Sequence, residues 1–274
     1  MSGTKRVLVA LDATLQNPGL LEAAADLAHR LGAELEGLFV EDIDLIHLAG
    51  LPFAREHRLR HAARQLDLAS LEQDLKFRAA AARRALMQAA ERRQVRWRFE
   101  VRRGQPATEY LAAAAGAELV AMTVMSRTTL QIGAGGDVSH SVVQSAGAAL
   151  LCGQAPAADP ARPILLLYDA SPAATQALEL AIRLAGHPGG ITVITLATDA
   201  ARAAALRQRA AARLQSESIA FRLRDLGAAD TSAAIELLRR EHGSLVLLPV
   251  DGTMPAGLSL QILLQRLGLP VLQV

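Results

Sequence analysis

A chain of 274 residues with 51% hydrophobic and 20% charged residues carries enough apolar material for two ordinary cores and too much for a disordered chain. A net charge of +2 and 3% aromatic content argue against a nucleic-acid binder, which needs a basic face or exposed stacking rings. The single Cys152 excludes an internal disulfide framework, and the sequence predicts a cytoplasmic chain: Met1-Ser-Gly-Thr-Lys-Arg6 leads straight into a strand, with no leader-like apolar core and no run long enough to span a bilayer.

Short apolar runs alternate with segments of helical period, the pattern of parallel strands joined by crossover helices. Val7–Leu11 reads as a buried strand. Leu20, Leu21, Ala24, Leu27, Ala28 and Leu31 then recur at helical spacing and stop at Gly32. A strand is predicted over Glu34–Val40, a helix over Leu66–Arg93, a strand over Val95–Val101 and a helix from Pro106. A strand at Leu119–Val124, a helix near Val138–Ser145 and a strand at Ala148–Cys152 complete five strands and four helices. In Val95–Val101, Val95, Trp97, Phe99 and Val101 alternate with Arg96, Arg98 and Glu100, followed by Arg102. This predicts an edge strand with Trp97 in the core and a basic opposite face.

The order then repeats. Strands are predicted at Ile164–Tyr168, Ile191–Leu196, Phe221–Leu226, Leu245–Pro249 and Val271–Val274. Helices are predicted at Pro172–Ala185, Ala200–Ser216, Thr231–His242 and Leu258–Leu267. The same offset separates Asp12 from Asp169 and Asp42 from Asp199, as duplication of one folding unit requires. The expected division is 1–153 for the first unit, with an insertion at about 43–77, 154–162 for a linker rich in Pro and small residues, and 163–274 for a shorter second unit.

This arrangement resembles the universal stress protein family in its tandem two-domain form, over nearly the whole chain. The resemblance rests on a first strand ending in Asp, Val9-Ala-Leu-Asp12, and on closing strands after small-residue turns, Ala148-Ala-Leu-Leu-Cys152 and Pro270-Val-Leu-Gln-Val274. It implies two tandem five-stranded α/β parallel-sheet sandwiches, Rossmann-like and adenine-nucleotide alpha-hydrolase-like. These would form an intrachain pseudo-dimer by antiparallel pairing of the final strands. In ATP-binding members the loop after the fourth strand reads Gly, two residues, Gly, nine residues, Gly, then Ser or Thr. That spacing falls here on Thr123, Ser126, Gly136 and Asp137.

Such a loop holds phosphate because glycines let backbone N–H groups approach the oxygens and the next helix adds its dipole. Thr123 and Ser126 add side chains where the family leaves room, although their hydroxyls still donate. Asp137 places a carboxylate where relatives have a hydroxyl: two like charges at about 4 Å repel by roughly 1 kcal/mol in water and several times that in a partly dry site. Asp137 also suits a plain N-cap. The resemblance places Asp12, Ala13, Val40, Thr123, Ser126, Gly136 and Asp137 around the nucleotide, with Asp12 at the base and Val40 in the adenine pocket. Asp12 reads equally as a cap on the turn that follows it, and Asp169 reads as such a cap. In the second unit the loop Val250–Gly257 is too short to wrap a triphosphate and reads as a turn.

Other constellations have plain readings. His57 and His61 share metal-pair spacing but lack a third ligand, so Arg55–Arg64 reads as a solvated basic face and no metal is expected. Ile43–Phe53 is apolar and reads as packing over the sheet. Cys152 reads as inert, and Ser139-His140-Ser141 as non-catalytic, because adjacent helical residues point apart. No Walker A or G-x-G-x-x-G loop is present. The sequence therefore predicts a non-catalytic stress-response or regulatory module, without a cofactor and with weak or absent ATP binding. The alternatives are a nucleotide sensor or weak ATPase using ATP in the first unit only, and a scaffold docking a protein partner through 43–77. Self-association of two such chains is left open.

Overall fold

The computed structural model describes residues 5–11, 17–51, 55–56, 64–65, 68–123, 138–152, 159, 161–185, 189–197, 199–227, 231–250 and 260–274. In the first half the elements are β1 (Arg6–Leu11), α1 (Pro18–Leu31), β2 (Glu34–Asp42), α2 (Ile43–Ala49), the two-residue strands β3 (Arg55–Glu56) and β4 (Arg64–Gln65), α3 (Leu68–Arg92), β5 (Trp97–Gly104), α4 (Pro106–Ala114), β6 (Leu119–Thr123), α5 (Val138–Ala146) and β7 (Ala149–Cys152). The second half comprises β8 (Ile164–Tyr168), α6 (Pro172–Leu184), β9 (Ile191–Thr195), α7 (Ala200–Gln215), β10 (Phe221–Asp225), α8 (Thr231–Arg240), β11 (Leu245–Leu248), α9 (Leu260–Leu267) and β12 (Val271–Gln273).

Local chemistry sets the helix ends. Asn17 Oδ1 accepts the Leu20 N–H at 3.2 Å and Pro18 supplies a preset first-turn φ, while Gly32 closes α1 at φ +61°, which a side chain would resist. Ser171 caps α6 through the Ala174 N–H at 3.1 Å, and Asp199 caps α7 through the Arg202 N–H at 2.8 Å.

Ten strands form one sheet in the order β10-β9-β8-β11-β12-β7-β6-β1-β2-β5. Each half contributes five parallel strands in the same relative order. The two halves meet where β12 runs antiparallel to β7, with Val271 opposite Leu151, Leu272 opposite Leu150 and Gln273 opposite Ala149. This is the pairing of final strands that the sequence predicts, and it conceals the edge that each five-stranded sheet would otherwise expose.

Helices cover both faces, which is why the inner strands are near-continuous apolar runs. Val7 and Val9 face a cluster with α1, α3, α6 and α7, whereas Leu8 and Ala10 face one with α4, α5, α8 and α9. Both clusters cross the seam: Leu150 and Leu272 belong to the first, Leu151 and Val271 to the second. Arg30 of α1 donates to the Leu184 carbonyl of α6 at 3.2 Å, and Arg183 pairs with Glu118, so polar contacts also join the halves.

The edge strand departs from expectation in two ways. It is displaced toward its C-terminal end, because its register follows β2 from Leu35 opposite Trp97 to Asp42 opposite Gly104. Trp97 is half-buried against the first cluster and Val101 is 46% exposed, because no strand lies beyond β5 to enclose them. On the arginine-bearing face Arg98 pairs with Glu36 and Arg102 with Glu100, while Arg103, on the opposite face with Trp97 and Val101, pairs with Glu41. In the inserted region, Ile46 packs with Phe39, Leu75, Ala79 and Ala82, while Leu45, Leu48 and Leu51 are exposed, so the apolar run from Ile43 is only partly packed. Phe53, His57 and His61 lie outside the described residues. So do 154–158 and 160 of the expected linker, and 251–259 after β11.

Candidate ligand site at the carboxyl edge of the first half

In the first half the chain runs outward from β1 to β2 and β5, then returns to place β6 and β7 on the other side of β1. Open α/β sheets bind ligands beyond the carboxyl ends of the strands at such a reversal, here between β1 and β6. The pairs Val9–Ala121 and Leu11–Phe39 set Thr123 and Val40 level with the end of β1, one on each side.

Thr123 is half-buried at the last position of β6, in register with Cys152 of β7. Its side chain therefore stands at the mouth of the reversal, where a glycine would leave space. Val40 is only 4% exposed and belongs to the core cluster containing Ala10, Leu38 and Tyr110. Of the seven sequence-predicted site residues these two are described. Asp12, Ala13, Ser126, Gly136 and Asp137 lie outside the described residues.

Tyr110, unremarked in the sequence reading, anchors this edge. Its hydroxyl donates to the Leu11 carbonyl at 2.9 Å, tying α4 to the end of β1. Cys152 beside Thr123 is buried, and that burial pushes its thiol up to about 12, so at neutral pH it is a protonated apolar group, not a nucleophile.

The matching edge of the second half is occupied by local bonds. Asp169, 7% exposed, accepts the Ser171 N–H at 2.9 Å, the turn-closing role its position suggests, and Ala170 between them has φ +63°. Thr195 donates to Asp225 at 2.6 Å, and Asp225 also pairs with Arg207. The Val250 N–H donates to the Val274 carbonyl at 2.9 Å, which binds the exit of β11 to the chain end.

A buried ionic cluster was also missed in the sequence. Glu36 of β2, 1% exposed, accepts from Arg6 and Arg98, each at 2.8 Å. The signal was a carboxylate near the start of β2, alternating with Leu35 and Gly37, but its partners are remote in sequence. Among the described residues there is no group of three or more His, Cys, Asp or Glu placed to hold a metal ion, and no described helix is long and apolar enough to cross a membrane.

A ten-stranded α/β sheet with its reversal beside β1 defines a Rossmann-like protein of the nucleotide alpha-hydrolase type. The family model described as "Universal stress protein family" matches residues 3–152, more than half of the chain, and the chain belongs to that family. Among solved structures it is similar to a universal stress protein from Archaeoglobus fulgidus DSM 4304, at 16% identity and TM-score 0.66, covering 97% of each chain. A protein described as a universal stress protein from Pseudomonas aeruginosa UCBPP-PA14 matches at 16% identity and TM-score 0.55, covering 99% of this chain and 93% of that one. A protein of unknown function from Pseudomonas aeruginosa PAO1 matches at 15% and 0.55, covering 99% and 92%. These identities speak for the fold alone. No curated protein matches.

Proposed function

We propose that the chain is a non-catalytic, cytoplasmic stress-response module whose second half is a second copy of the family unit, kept as a structural partner for the first. Family membership supports the stress-response role. The observation that carries the weak or absent ATP binding is the substitution of the phosphate loop at unchanged spacing. Thr123 projects a side chain at the end of β6, Ser126 replaces a second glycine, and Asp137 brings a carboxylate to the phosphate end. The strands expected to pair between subunits pair within this chain, so closing that edge needs no second copy.

A nucleotide sensor confined to the first half is the second reading. It is favoured by the strand reversal beside β1 and by Gly133, Gly135 and Gly136 in the loop sequence. Calorimetry with MgATP, together with release of phosphate over hours, separates the two. The module reading expects neither saturable heat at micromolar nucleotide nor turnover; saturable binding establishes the sensor, and turnover establishes an ATPase.

A further inference from the structure

A second concave surface lies away from the strand reversal, between α3 and the edge strand β5. It is a groove of about 600 Å³ whose floor is Trp97, Phe99 and Val101, with Met87, Arg83 and Arg84 on the helical wall. Small side chains at Ala79 and Ala80 keep that wall open. Trp97 and Phe99 are half-buried and Val101 is 46% exposed, so the floor is apolar surface in contact with water.

The charge pattern around the groove is specific. At the end of the same helix Arg92 pairs with Glu22, and just beyond it Arg93 pairs with Asp26, while on the strand Arg98, Arg102 and Arg103 each have a carboxylate. Arg83 and Arg84 have no carboxylate partner among the described residues. Instead the Arg83 guanidinium stands over the Trp97 ring, 6.0 Å from its centroid. Two uncompensated guanidinium groups at the rim of an apolar trough match a ligand with one anionic end and an apolar body. A second copy of this chain does not match, because edge-to-edge pairing of β5 would set its arginines against their own kind.

We propose that this groove binds an amphiphilic carboxylate, a small molecule whose carboxylate is held at the rim by Arg83, which stands over Trp97, with the long side chain of Arg84 bordering the same groove, while its apolar body lies on Trp97, Phe99 and Val101. The guanidinium fork suits a planar carboxylate, and the volume is that of an ordinary small-molecule site. This site is independent of the β1–β6 reversal and of any nucleotide there.

Trp97 is the chain's single tryptophan, so its emission reports on the groove directly. The full chain is titrated with decanoate, with decanol as the same body without the charge, and with acetate as the charge without the body. Binding is confirmed by calorimetry, since substitution of Arg83 itself alters the surroundings of Trp97. Decanoate is expected to give a saturable change that decanol and acetate do not give at equal concentration. The Arg83→Gln/Arg84→Gln variant, changed only at exposed positions, is expected to bind at least about tenfold more weakly, whereas the remote Arg240→Gln variant retains binding. Absence of a saturable decanoate response, equal binding of decanol, or undiminished affinity in the double variant overturns the proposal.

Discussion

Arg98 of β5 lies directly opposite Glu36 of β2, and the two side chains meet at 2.8 Å although the carboxylate is 1% exposed and the arginine half-exposed. Arg6 reaches the same Glu36 oxygen from β1 and also donates to the Ala113 and Ala115 carbonyls at 3.0 and 2.9 Å. One buried carboxylate thus joins three strands, and Arg6 links them to the end of α4. Removing Arg6 strips Glu36 of its more sheltered partner and leaves two carbonyls short of a donor. Removing Arg98 takes away a partner that water replaces in part. Arg6→Ala is expected to cost about 2–4 kcal/mol in urea unfolding and Arg98→Ala about 1 kcal/mol; equal losses would show that the exposed arm carries as much as the sheltered one.

At the centre of the seam between β7 and β12, Leu272 at 0% exposure lies opposite the equally buried Leu150, in a core cluster shared by both halves. Leu272→Ala is expected to destabilise the chain by about 2–5 kcal/mol through lost burial and the cavity left behind. Because the clusters are continuous, the loss should appear as a shift of one thermal transition. A melt that splits into two transitions, one unmoved, would mean that the halves are energetically separate.

Cys152 gives a pH signature. Burial raises its thiol from 9.0 to about 12, so between those values the unfolded thiol ionises while the native one stays protonated. The native state then binds more protons, and stability falls as pH rises, by about 1.4 kcal/mol per unit once well above 9. Denaturant midpoints of the native chain and Cys152→Ala at about pH 8 and pH 10 test this. The native chain should lose roughly 1 kcal/mol more than the variant over that interval, and parallel losses would refute the assignment.

Gly190 combines φ +66° with a position where an added Cβ would lie 2.2 Å from the Ala220 carbonyl oxygen. That carbonyl accepts from Ile191 as the chain enters β9, and the Gly190 carbonyl accepts from Ile164. Gly190→Ala is expected to cost more than about 1 kcal/mol, through strain at positive φ and displacement of this bonded turn. Gly32→Ala, also at positive φ but with nothing within 4 Å, should cost less. The two thermal melts check the order.

Most of the fold was legible because local signals and long-range order agreed. The apolar run Ile164–Tyr168 became β8 with those bounds, and the helical period after Pro172 became α6. The edge position of β5 was legible, but its bounds and the cover on its apolar face were not, because alternation reveals which face a residue is on, not whether anything covers that face, and Val101 lies open to water. Glu36 escaped because a carboxylate at an alternating strand position looks solvated until Arg6 and Arg98 are brought to it by strands from elsewhere in the chain. Of the candidate ligand site, Val40 in β2 and Thr123 at the end of β6 lie level with the end of β1, at the expected edge. The glycine spacing that defines the rest is a property of the loop sequence.

The central claim is that the first half keeps the family's ligand edge while its phosphate loop is substituted, with Asp137 as the chief obstacle. It is tested by MgATP calorimetry on the native chain beside Asp137→Ser. The account predicts no saturable heat at micromolar ATP for the native chain and measurable binding once the carboxylate becomes a hydroxyl. Micromolar binding by the native chain, unchanged in the variant, would contradict it.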